Sequence, residues 1–301
     1  GKTIRILMET VPDTRYIEEL LPEFEKETGI KVETEVIGYV DMHSKLVPQL
    51  LASQGSYDLI VVDFYWVGEF TKAGWLMPLD DLVRRDNIDV NRYVPALMDL
   101  VGRVDGTIFM LPFYNYSMAM VYRKDLINDP KEKAAFKAKT GMDLKVPTSW
   151  PEYWKQVEFF TRDNDNDGQN DFFGTVIQGQ RGDCVAMHWS NFLYSQGGSY
   201  NANNGEPLLD SAAAISAMAY YKEAIAKYSP EGSAGYCFDE AFNVVAQGNA
   251  YSLTTFNIMY AGFDDPKSSN VVGKIGIAPN PGGGLNGAWG WAIPNSSSQK
   301  E

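Results

Sequence analysis

Leu59, Ile60, Val61 and Val62 form a short, unbroken aliphatic run that ends at Asp63 and is followed at once by Phe64, Tyr65 and Trp66. A run of this length, rich in β-branched residues, fits an inner strand of a parallel sheet covered on both faces. Such a strand requires helices on either side, and the preceding sequence supplies them. Residues 3–8 read as a strand, 14–27 as an amphipathic helix stopped by Gly29, 30–37 as an alternating strand, and 42–52 as a second helix before Gly55. This β-α-β-α-β order predicts a parallel sheet with right-handed crossovers. Ligands of open α/β sheets collect beyond the C-terminal strand ends. Asp63 is therefore placed to accept hydrogen bonds from hydroxyls, with Phe64, Tyr65 or Trp66 offering a flat apolar face. That combination suits a small carbohydrate or polyol. The competing reading is that the rings pack beneath the next helix, as Trp75 and Leu76 are expected to do.

Further along, a short helix reaches Ala73, Asp80 and Asp81 form an acidic turn, and residues 90–100 read as a helix. Asp105 and Gly106 form a turn into a strand at 107–111. Pro112 cannot extend a central strand, so the first domain boundary is placed there, with 113–117 as an aromatic, polar crossing before a strand at 118–122. Helices follow at 130–140, 149–161, 184–195, 211–227 and 239–247, with strands at 172–178, 250–254 and 287–294. The Gly-rich stretch 280–284 reads as a flexible linker. Residues 298–301 have the form of a capping box, which predicts the start of a helix.

With 301 residues, 45% of them hydrophobic, the chain can divide a large core between two units. The net charge of −13 argues against nucleic acid and anionic membrane surfaces as partners. Cys184 and Cys237 are the only cysteines and His43 and His188 the only histidines, so there is little material for a zinc site. The cysteines form a disulfide if the protein is exported or remain two buried thiols; the sequence leaves both open.

The sharpest local motif is DNDNDGQND over residues 163–171. It sets Asp163, Asp165, Asp167 and Asp171 at the first, third, fifth and ninth positions of a calcium loop, with Gly168 at the turn and Gln169 supplying a carbonyl. The bidentate Glu expected at the last position is replaced by Gly174, so a structural calcium ion, an Asx-rich surface turn and a catalytic metal remain alternatives. In the loop over 178–184, Arg181 and Asp183 can offer a donor fork and an acceptor to adjacent hydroxyls, or simply bridge each other. No nucleophile elbow, zinc-protease helix or Cys-His arrangement is present. A glycosidase-like pair of carboxylates stays open as the enzymatic alternative, with calcium as its accessory.

The motifs FEKETG at 24–29, YDLI at 57–60, GWLMPL at 74–79, LPF at 111–113, MVYRKDL at 120–126 and PTSW at 147–150 occur in an order that resembles the family 1 extracellular solute-binding proteins of ABC importers, in particular those for sugars and sugar alcohols. The resemblance spans essentially the whole chain. It implies an α/β, two-lobed periplasmic-binding-protein-like fold of type II with a ligand cleft between the lobes. Lobe 1 would comprise 1–111 and 255–294, and lobe 2 would comprise 112–254 and further helices beyond 301, since relatives continue past Trp289, Trp291 and Pro294. Carried onto this sequence, ligand contacts would come from Thr10 and Asp13, from Asp63, Tyr65 and Trp66, from Tyr114 and Asn115, from Arg181, Asp183 and Trp189, from Phe256 and Asn257, and from Trp289 and Trp291. The implied protein is a monomeric, non-enzymatic receptor, periplasmic or extracellular and open to lipid anchoring in its precursor. It would hand a sugar or sugar alcohol to the membrane permease without a catalytic cofactor.

Overall fold

The protein is described by a computed structural model covering residues 1–202 and 204–299. Its opening alternation forms β1 (Thr3–Glu9), α1 (Pro12–Thr28), β2 (Lys31–Ile37), α2 (Tyr39–Leu51) and β3 (Leu59–Asp63). β1 is central, parallel to β2 on one side and β3 on the other. Leu7, Met8, Ile60, Val61 and Val62 are all buried, as an inner sheet covered on both faces requires. Each such side chain withdrawn from water stabilises the fold by ~1.5–3 kcal/mol. Gly29 ends α1 in the left-handed region at φ 70°, its N–H capping the Glu25 carbonyl at 2.9 Å.

α3 (Val67–Lys72) and α4 (Asp80–Arg85) follow. The helix expected over 90–100 is instead broken into a 3-10 turn at Val90–Arg92, the single turn α5 (Pro95–Leu97) and a wide turn at Met98–Gly102. Pro95 lacks an N–H and holds Val94 extended, so the chain must restart its helix there. β4 (Arg103–Val104) and β5 (Thr107–Ile108) make a short hairpin.

β6 (Leu111–Arg123) corrects the sequence reading at Pro112, because it is one continuous strand through the expected crossing. Pro112 is its second residue, where a missing N–H costs little. The chain divides into two units within this strand: Gly1–Asn115 with Gly287–Glu301, and Tyr116–Asn286.

In the second unit come α6 (Lys124–Asn128), α7 (Pro130–Thr140), α8 (Trp150–Phe160), α9 (Asp183–Ser195), α10 (Ala212–Lys227), α11 (Phe238–Ala246), β7 (Ser252–Phe256) and β8 (Ile275–Pro279). β7 and β8 both pair antiparallel with the second half of β6. That pairing keeps 255–286 in the second unit and overturns their assignment to the first lobe. Successive residues of β6 serve opposite faces: Met120 packs with Val157, Phe192 and Leu193 under α8, α9 and α10, and Val121 packs with Ala241 and Val245 of α11. The strand expected over 172–178 reduces to isolated parallel bridges from Phe173 to Ala250 and from Val176 to Leu253. Between them the backbone N–H groups turn elsewhere, Gly174 to the Thr161 hydroxyl and Thr175 to the Tyr228 carbonyl.

The stretch read as a linker is a packed turn. Asn280 is buried, its amide donating to the Gly283 carbonyl at 2.8 Å and its oxygen accepting from the Thr254 hydroxyl at 2.9 Å. A β-carbon at Gly284 would lie 2.5 Å from the Met118 carbonyl, so the glycine is there for close approach. β9 (Asn286–Ala292) then returns to the first unit, antiparallel to β3 with Trp289 opposite Asp63. The helix start predicted at 298–301 falls largely outside the described residues.

Candidate functional site

In the first unit, the parallel register of Ile6 with Leu59 and Leu7 with Ile60 brings the C-terminal ends of β1 and β3 side by side. Glu9 and Asp63 therefore share one edge of the sheet, with Asp13 in the first turn of α1. The Tyr114 hydroxyl donates to Glu9 Oε2 at 2.7 Å. Removal from water pushes the Glu9 carboxyl up to about 8; the Tyr114 hydrogen bond opposes this, and the negative charges of Asp63 and Asp13 add to it. Glu9 is nevertheless only half-buried. Asp63 is 2% exposed, and the Tyr65 N–H reaches its Oδ1 at 3.5 Å.

Glu9 is the residue that sequence reasoning missed. It follows an apolar strand as Asp63 does, but ending the strand at Met8 put it in a turn. The rings expected to form a lip are mostly engaged with one another. Trp66 stacks on Tyr39 with centroids 5.7 Å apart, meets Trp289 edge-on at 5.5 Å and packs on Phe70 of α3 at 6.1 Å. The packing alternative thus describes Trp66, which is buried. Trp289 is also buried and lies 5.9 Å from Tyr114, while the half-buried Trp291 packs on Phe113 at 4.6 Å. Tyr65 is half-buried against Phe64, and Asn115 is exposed. Thr10 is exposed, its N–H held by the Ile37 carbonyl at 2.8 Å.

In the second unit, Cys184 and Cys237 form a disulfide, resolving that alternative. It fastens the start of α9 to the start of α11. The Gly179 and Gln180 N–H groups bond the Ser233 and Tyr236 carbonyls, so the loop carrying Arg181 and Asp183 is pinned at several points. Arg181 is exposed and forms no ion pair with any described residue, which removes the Arg181–Asp183 bridge as the loop's explanation. Trp189 is a core residue, 7% exposed, packed with Trp150 and Phe192 and edge-on to Tyr200 at 5.5 Å. Its position on α9 turns it into the helical layer, a direction that spacing alone does not reveal. Phe256 packs against Tyr116 and Phe238 at 5.8 and 5.7 Å. Asn257 accepts from the Ser117 N–H at 3.2 Å and, with Ser117, Asn280 and Asn286, lines a cavity of about 490 Å³. That volume lies in the range of small-molecule pockets.

The calcium-like loop gathers the carboxylates of Asp163, Asp165 and Asp167 to within 4.8 Å of one another. Asp171 lies outside this group and accepts from the Asn164 amide at 2.7 Å. Asp163 accepts from the Gly168 and Asp167 N–H groups at 2.9 and 3.2 Å, and Asp167 accepts from the Gln169 N–H at 2.8 Å. These donors, Gly168 foremost, hold the Asp163 carboxyl below its usual range.

Residues 9–301 match the bacterial extracellular solute-binding protein family. A probable amino-acid ABC transporter periplasmic-binding protein of Sinorhizobium fredii is 25% identical over all of this chain and 67% of its own. The mannitol-binding protein of Pseudomonas aeruginosa is 24% identical over 86% of this chain and 57% of its own, so the present chain spans little more than half of that relative. Among solved structures, an ABC transporter solute-binding protein of Agrobacterium radiobacter in complex with ribitol superposes with a TM-score of 0.83 at 29% identity, covering 100% of this chain and 73% of its own. The architecture is accordingly the α/β, two-lobed fold of type II periplasmic solute-binding proteins. This chain belongs to the bacterial extracellular solute-binding protein family.

Proposed function

We propose that the protein is the receptor of an ABC importer that captures a neutral sugar alcohol or sugar and delivers it to the membrane permease. The observation that carries this reading is the first-unit grouping of Glu9, Asp13 and Asp63 with Tyr114 and the half-buried Phe64 and Tyr65 around the ends of β1 and β3. Acids grouped in this way repel carboxylates and phosphates, whereas a polyhydroxylated ligand donates to them and lays its C–H faces on rings. The names of the mannitol-binding relative and the ribitol complex support the same class. The amino-acid name of the Sinorhizobium relative points to a ligand with a carboxylate, which the first-unit acids disfavour. The second unit offers the exposed Arg181 and the Asn257 cavity as further donors.

Thermal-shift and calorimetric screens with ribitol, mannitol, maltose and free amino acids test this reading, because a ligand of the native state stabilises it by RT ln(1 + [L]/Kd). Asp63→Ala or Arg181→Ala removes a charge-assisted hydrogen bond of about 1.5–3 kcal/mol. Unaltered affinity in both variants rejects the site. Recovery of the bound solute unchanged supports a receptor, while hydrolysed product favours the carbohydrate-active enzyme. The family places the protein outside the cytoplasmic membrane. A monomeric state, checked by light scattering, and lipid anchoring, checked by acyl labelling of the precursor, belong to the same proposal. Calcium at Asp163, Asp165 and Asp167, with Gln169 and Asp171 nearby, is a separate one: no calorimetric heat with calcium and no stability change on chelation would reject it.

A further inference from the structure

The second unit holds a cavity of about 490 Å³ that the receptor reading uses only as a source of donors. One wall is apolar, made by Met118 of β6 with Ile277, Ala278 and Pro279 of the neighbouring β8. The other carries Ser117, Asn257, Asn280 and Asn286, and no described residue lining the cavity is charged or aromatic. The turn behind it is firmly held: the Met118 N–H donates to the Leu285 carbonyl at 2.8 Å, and the Leu285 N–H donates to Asn191 Oδ1 at 3.1 Å. Ser117 fixes which way the amides point. Its backbone N–H can only donate, so the Asn257 atom facing it at 3.2 Å is Oδ1, and its hydroxyl donates to Asn286 Oδ1 at 2.5 Å. Asn257 and Asn286 are both exposed, and neither Nδ2 has an acceptor among the described residues. Two carboxamide N–H₂ groups therefore stand at the cavity with their donors uncommitted.

We propose that this cavity takes a neutral glycosyl residue, so that the solute the receptor prefers is a glycoside, either a disaccharide or a glycosylated sugar alcohol, rather than a free sugar alcohol. The inference rests on the receptor reading and narrows it. Ring and glycosidic oxygens accept hydrogen bonds and bring no hydrogen of their own, which matches the amide donors of Asn257 and Asn286. Every hydroxyl of an open-chain alditol brings a donor as well. The side-chain acceptors at the cavity are mostly taken, Asn257 and Asn286 by Ser117 and Asn280 by the Thr254 hydroxyl. Alditol hydroxyls drawn against this wall would be desolvated without a partner, which opposes binding. The apolar wall gives the C–H face of a sugar ring a surface to lie on, and the volume is ample for a ring. A carboxylate or phosphate finds no positive group there to replace its lost water, and an ammonium group finds no carboxylate.

The test compares maltitol, a glucosyl residue joined to sorbitol, with sorbitol itself by calorimetry, for wild type, Asn257→Ala, Asn286→Ala and Asn286→Asp. The readout is the ratio of the two affinities, and circular dichroism checks that each variant is folded. Wild type should bind maltitol about tenfold or more tightly than sorbitol. Each alanine variant should cut that ratio by about 2–10-fold, because it deletes one donor. Asn286→Asp keeps the shape of the side chain and its bond from Ser117 while removing the donor, so it should cut the ratio at least as much. A wild type that binds free alditols as tightly as maltitol overturns the proposal and leaves the receptor reading intact. So does a maltitol preference that survives unchanged in all three variants. A wild type that binds none of ribitol, mannitol, sorbitol, maltose and maltitol overturns both the glycosyl subsite and the receptor reading on which it rests.

Discussion

Two groups of three acids sit in this chain, Glu9 with Asp13 and Asp63 in the first unit and Asp163 with Asp165 and Asp167 in the second. They differ in what surrounds them rather than in composition. Glu9 has lost water, has like charges beside it and receives one hydroxyl donor, so its carboxyl rises to about 8. Asp163 lies in a solvent-washed turn whose backbone N–H groups point at it, so its carboxyl falls below the usual range. Acid side chains alone therefore mark neither a metal site nor a sugar site; the donors that reach them decide the charge they carry. The first group is set at the C-terminal ends of two parallel strands, whereas the second is largely occupied in closing its own loop.

The comparison breaks first between about pH 4.5 and 8. Glu9 is raised from 4.5 to about 8 in the folded protein, so the stability it contributes is complete below its ordinary value and is lost as pH rises through about 8. Urea unfolding of wild type should thus weaken over that window by on the order of a few kcal/mol, and Glu9→Gln should flatten the profile. An identical slope in both proteins would remove the contrast between the two groups.

Next in size, Asp63→Ala should lower polyol affinity by about 10–100-fold. Its removal should also take away a negative charge that raises the Glu9 carboxyl, so the Glu9 titration, followed by infrared difference spectroscopy, should move downward. Tyr114→Phe acts in the opposite sense: it deletes the donor that favours the carboxylate, so the Glu9 titration should move further up, with a stability cost of about 0.5–1.5 kcal/mol. A downward move would show that Tyr114 is not the partner the geometry indicates.

The smallest effect is expected at Asp163→Asn. Its lowered carboxyl contributes above the ordinary 3.8 and loses that contribution as pH falls through its folded value, so the variant should be slightly less stable at neutral pH and level with wild type in strong acid. The thermal midpoint at neutral pH should fall slightly in the absence of calcium, and a large shift there would mean that the loop carries more of the fold than its exposure indicates.

Much of this was legible in the chain because it is local. The alternation of apolar strands and amphipathic helices over the first sixty or so residues, the stop at Gly29 and the Asx-rich loop each follow from neighbours within a few positions. Asp63 was also legible, since an acid closing an aliphatic strand announces itself. Glu9 carries the same signal more faintly, and its importance comes from Tyr114, which is 105 residues away. Trp66 and Trp189 show the opposite failure: their aromatic character was plain, but whether a ring faces ligand or core depends on Tyr39, Trp289 and Tyr200, which the fold brings to them.

By itself, the sequence determined the α/β class, the family and the presence of acids and rings at strand ends, because strand and helix periodicity and motif order are properties of neighbouring residues. Only the tertiary structure decided that 255–286 stay with the second unit, that Cys184 meets Cys237, that the glycines at 282–284 belong to a packed turn, and that Glu9 shares its edge with Asp63. Each of those outcomes depends on strand pairing or burial between residues far apart in the chain, and a carboxyl's charge follows the water and donors that such pairing leaves around it.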